Sequence, residues 1–227
     1  MTLNTYASGG IAASSRNRVL RNTYALLALS MLPTILGAFI GVQLGFSFFA
    51  GSPMLGFMLF MAVAFGFFFA IEKFKNSSVG VLLLLGFTFF MGLMLSRSLQ
   101  YTLGFSNGAS LIALAAGGTG VIFFAMAGLA TVTKRDLSGM GKFLFVGMIV
   151  ALIAGVANIF LQLPALSIVM AVACLGIFSA YILYDVNRVV TGGETNYVTA
   201  TLAIYLDIYN VFVSLLQLLG IFGGDRD

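Results

Sequence analysis

Two aspartates, Asp185 and Asp207, stand in stretches otherwise dominated by Leu, Ile, Val, Ala, Tyr and Phe. A carboxylate at the centre of a membrane span costs about 2.5–3.5 kcal/mol on insertion scales, so two in adjacent apolar segments call for a function. If those segments pack together, the carboxyls resist ionising at the same time, and sharing a proton makes them titrate as a unit. Deprotonated, the pair offers several oxygen ligands, which suit a hard cation such as Ca²⁺ better than a transition metal. The expected chemistry is a proton-gated cation site.

The segment carrying Asp207 adds a pattern. At about 100° per residue, Thr199, Ala203, Asp207, Asn210, Ser214 and Gln217 fall within roughly 80° of one helix face. Such a polar stripe belongs inside a bundle, against other helices or along a water-filled cavity. Two readings stay open for Asp185. Arg188 lies three residues later, so the two can form a helix-end ion pair at the membrane surface, or Arg188 can be the counter-charge of the carboxyl pair. Asp207 has no basic residue within four positions. Glu194, in the loop between the two segments, reads as solvated or as a cap of the last helix. Glu72 reads as an interfacial charge on the same side.

The elements that hold these residues follow from composition. The chain has 227 residues, is 60% hydrophobic and 8% charged, and its mean hydropathy is +1.08. Soluble domains carry roughly 25% charged residues, so this is a membrane protein. The absence of histidine excludes imidazole ligands and His-based catalysis. The single cysteine, Cys174, lies in an apolar run and reads as a packing residue. No metal spacing, phosphate loop or nucleophile elbow is present, and no enzyme activity is expected. The basic residues sit at the ends of apolar segments, which points to membrane orientation and not to nucleic acid.

Apolar runs at about 22–44, 54–72, 78–96, 108–132, 142–161, 165–189 and 199–221 approach or exceed the roughly 20 residues that cross a bilayer. The expected fold is all-α: seven transmembrane helices, with the seventh in the bundle interior. Residues 1–21 are read as a cytoplasmic tail, 22–221 as the membrane domain and 222–227 as a short C-terminal tail. Only Leu161-Gln162-Leu163-Pro164 separates the fifth and sixth runs; their fusion would leave six spans, but Pro164 argues for a turn. With the N-terminus inside and the C-terminus outside, Arg16, Arg18, Arg21, Lys73, Lys75, Lys134, Arg135, Lys142 and Arg188 share the cytoplasmic side. Arg97 and Arg226 lie opposite. Gly37, Gly41 and Gly45 form a small-residue face on the first helix, and Pro33 is a potential kink there.

The strings Leu20-Arg21-Asn22-Thr23-Tyr24, Val156 to Pro164, Tyr184-Asp185, Gly192 to Tyr197 and Leu202 to Asn210 resemble the Bax inhibitor-1 (transmembrane Bax inhibitor motif) family. The likeness spans almost the whole chain and is closest to the bacterial YccA-like branch. It implies a protein of the bacterial inner membrane and a pH-sensitive Ca²⁺ leak whose di-aspartyl sensor is matched by Asp185 and Asp207. For the YccA-like branch it also implies modulation of the membrane-bound AAA protease FtsH, with residues 1–21 as the tail involved. One departure stands out: the family's leak pairs an aspartate with an arginine of the second span, and here no basic residue lies between Met54 and Ile71.

Overall fold

Seven helices follow one another in the computed structural model, which describes residues 3–46, 53–133 and 135–224. Lys134 and Arg226, both in the charge count above, lie outside the described residues. The helices are α1 (Leu3–Gln43), α2 (Pro53–Phe74), α3 (Ser78–Leu103), α4 (Gly108–Val132), α5 (Ser138–Leu161), α6 (Pro164–Thr191) and α7 (Tyr197–Gly223). Each contains a stretch long and apolar enough to cross a membrane, from 21 residues in α2 to 28 in α1 and α6. There is no strand among the described residues. The chain is a polytopic α-helical membrane protein.

The fifth and sixth runs are separate helices. Gln162 ends α5 in the left-handed conformation with φ 50°, and Pro164 opens α6 at a position where its missing N–H is no loss. The amide oxygen of Asn158 accepts from the Leu163 N–H, and its amide donates to the Ser167 hydroxyl, closing the turn. α1 is longer than its hydrophobic run: it begins at Leu3, so most of the polar segment 1–21 continues the helix, and the apolar span starts near Arg16. Pro33 sits inside α1 without ending it.

α7 occupies the middle of the bundle and packs on α1, α2, α3, α4 and α6. One of its faces is pinned by hydroxyls. Thr201 reaches the Thr23 carbonyl at 3.3 Å, Tyr205 pairs with the Thr34 hydroxyl at 2.8 Å, and Tyr209 donates to the Met91 carbonyl at 3.3 Å. With no water in the hydrocarbon region, a buried hydroxyl must find such partners within protein.

α1 and α3 meet backbone to backbone. A Cβ on Gly37 would collide with the Phe89 carbonyl, and one on Gly92 with the Thr34 carbonyl; Gly41 faces Ser96. Gly45 departs from the expected stripe: it lies beyond α1 in a turn with φ 60° and nothing beside it. We predict that Gly92→Leu lowers the detergent-solubilised protein's stability by at least about 1–3 kcal/mol, since neither backbone can yield. Gly86→Ala, whose Cβ would meet only the Phe67 ring at 3.7 Å, leaves it nearly unchanged. Thermal unfolding of the two variants checks this.

Candidate functional site

Asp185 lies six residues before the end of α6 and Asp207 ten residues into α7. The turn between these antiparallel helices brings the two side chains together. Both are buried, at 8% and 5% exposure, on helices that pack closely against each other. Asp207 Oδ2 is fully enclosed and has no hydrogen-bond partner among the described residues. An enclosed acceptor of this kind is completed by a proton, a water or an ion.

Arg188 stands at the rim. Its Nη1 is 3.3 Å from Asp185 Oδ1 and its Nη2 is 3.8 Å from Glu194 Oε2, and its guanidinium lies over the Tyr184 ring at 5.6 Å. The arginine is thus shared between the pair and the α6–α7 loop. Tyr181, one turn before Asp185, sets its ring against that of Tyr184, with 6.2 Å between centroids. The ionisable and charged groups about the pair are therefore Tyr181, Tyr184, Arg188 and Glu194.

The loop is built to hold this geometry. Gly192 takes φ 86° to end α6. Glu194 is neither free nor the cap of α7: its Oε1 accepts from the Asn196 N–H at 2.8 Å. The cap is Asn196, whose Oδ1 accepts from Val198 and Thr199 while its amide donates to the Lys75 carbonyl and to Asn76 Oδ1. That second pair of bonds ties the loop to the turn between α2 and α3. Glu72 is 61% exposed at its side chain and pairs with Lys75, so it does not reach the aspartates.

Asn187 was not singled out by the sequence. It is 1% exposed; its Oδ1 accepts from Leu137 N–H, and its amide donates to the carbonyls of Thr133 and Arg135. One side chain thus fastens the α4–α5 connection to the end of α6 between Asp185 and Arg188. A buried Asn immediately before the rim arginine was the only signal in the chain.

Further along α7, Asn210, Ser214 and Gln217 line a crevice of about 340 Å³ between α5, α6 and α7. The hydrogen bonds of Asn210 and Gln217 go elsewhere, to the Leu206 carbonyl and the Ser167 carbonyl. Among the described residues no cluster of three or more Cys, Asp or Glu could hold a metal ion. Two carboxylates fall short of the about six to eight oxygens that Ca²⁺ takes.

A seven-helix membrane bundle with a carboxyl pair on its last two helices is the class that fold and site define. Residues 16–224 match the family model described as inhibitor of apoptosis-promoting Bax1. The chain belongs to that Bax inhibitor-1 family. It is 39% identical over 207 residues to an uncharacterised protein of Neisseria meningitidis, covering 90% of this chain and 91% of the relative. It is 38% identical over 206 residues, 91% of each chain, to the Escherichia coli K12 protein named modulator of FtsH protease YccA. A second Escherichia coli relative at the same identity and coverage is named inner membrane protein YccA.

Replacing Asn187 by Ala strands three backbone groups of the α4–α5 connection, at roughly 1–3 kcal/mol for each left unsatisfied. The expected outcome is rapid proteolytic nicking near residues 133–137 in the variant, and slow nicking in the parent under the same conditions.

Proposed function

We propose that this protein is a pH-sensitive cation leak of a bacterial inner membrane, with Ca²⁺ among its ions, gated by Asp185 and Asp207. The observation that carries the reading is the burial of two carboxyls on adjacent packed helices, one of whose oxygens has no partner among the described residues. When the two share a proton, the site is close to neutral and Arg188 holds Asp185 across the rim. When the proton leaves, like charges repel in a low-dielectric setting, and the pair becomes a ligand for a passing cation. Arg188 supplies the counter-charge that the second span lacks. The N-terminus faces the cytoplasm and the C-terminus the outside, which places most of the basic residues inside.

A second reading rests on the relatives. The Escherichia coli protein named modulator of FtsH protease aligns with nine-tenths of this chain, so this chain modulates the same class of membrane protease. The two roles are compatible. Deleting residues 1–15 separates them: loss of protease co-purification with intact ion flux assigns the partner to the N-terminal segment.

The leak is tested with purified protein in liposomes carrying a Ca²⁺ indicator, between pH 5 and 8. The expected result is a pH-dependent influx that Asp185→Asn and Asp207→Asn each make insensitive to pH, and that Arg188→Gln raises by removing the closing ion pair. Influx no greater than through empty liposomes at every pH would leave the protease role alone.

A further inference from the structure

The crevice between α5, α6 and α7 is lined by neither aspartate, yet on α7 it comes within one helical turn of Asp207. Its lining includes Asn158 from α5, Ser167 and Cys174 from α6, and Asn210, Ser214 and Gln217 from α7. It lies toward the end of the bundle marked by the α5–α6 turn, opposite the end where the α6–α7 loop and Arg188 lie. Asn210 is three residues from Asp207 on the same face of α7, a rise of about 4.5 Å. Cys174 is ten residues into α6, about 15 Å from that end of the helix.

Part of this polarity is structural. Asn158 is consumed by the α5–α6 turn, and Gln217 reaches the Ser167 carbonyl only at 3.5 Å. Ser214 differs: it is buried and makes no hydrogen bond to any described residue, although it lines the crevice. The Asn210 amide turns back to its own helix, donating to the Leu206 carbonyl at 2.8 Å, and Asn210 is the lining residue of α7 nearest in sequence to Asp207. Ile159, Met170 and Val213 share the walls with these polar groups, and the volume accommodates about ten waters at roughly 30 Å³ each, for which Ser214 and Gln217 offer partners.

We infer that this crevice is a water-filled vestibule which admits small hydrated cations from the α5–α6 turn side to Asn210, one helical turn short of Asp207. Asn210 is its floor: rotation of the carboxamide away from Leu206 would join the vestibule to the unpartnered oxygen of Asp207. The inference rests on the leak reading for its purpose, but not for its test.

Cys174 is the chain's single cysteine and reports on the crevice without mutation. The experiment exposes the whole protein in sealed vesicles to a membrane-impermeant quaternary-ammonium methanethiosulfonate, added to one side at a time, and follows adduct formation by mass. The comparison is Val172→Cys in a Cys174→Ser background, a position on the same helix at similar depth whose side chain is 55% exposed on the bundle's outer surface. We expect Cys174 to react from the α5–α6 turn side on the order of a hundredfold faster than the lipid-facing cysteine, the penalty for bringing a charge into hydrocarbon. Equal, slow reaction at both positions, or reaction only from the other side, would overturn the vestibule. Cation flux is read in the same vesicles: rapid labelling without flux upholds the vestibule and removes the leak, whereas flux without labelling does the reverse.

Discussion

A carboxyl group enclosed at membrane depth survives only if protein, and not lipid, surrounds the helix that carries it. That constraint organises the molecule. α7 bears Asp207, and α1, α2, α3, α4 and α6 pack around it. The wall stays close because glycines let α1 and α3 touch through their backbones. The hydroxyls of Thr201, Tyr205 and Tyr209 then fix the rotation of α7 about its own axis. With that face pinned to α1 and α3, the opposite face presents Asp207 to α6.

Electrostatics then concentrates at one end. The α6–α7 loop collects the Arg188 link between Asp185 and Glu194, the Asn196 cap and the Asn187 staple within a few residues. Three connections between helices therefore meet beside the carboxyl pair. The guanidinium that faces Asp185 also faces the loop through Glu194.

Much of this was legible in the chain. The seven spans could be read because each apolar run is bounded by charges, glycines or proline, and Pro164 with the left-handed Gln162 settles the one ambiguous break. The aspartates could be read because they are costly where they stand. What escaped depends on partners far away in sequence. Asn187 bonds backbone groups some fifty positions earlier, and Tyr205 and Tyr209 look like any aromatic on a greasy face until their hydroxyls find α1 and α3. Glu194 and Asn196 are both plausible caps by type, and only the loop's path gives the cap to Asn196. Gly45 continues a spacing whose helix ends two residues earlier.

α5 stands apart from the rest of the bundle. Leu144 is its one buried residue, and the helix leans chiefly on α6. Most of its surface therefore answers only to the solvent it meets, for which one large apolar side chain is as good as another. Around this helix, evolutionary drift will be lopsided. Among related chains, Phe143, Val150, Ile153 and Phe160 will exchange freely within the apolar alphabet, while Gly155 and Asn158, which face the crevice, will hold their identity.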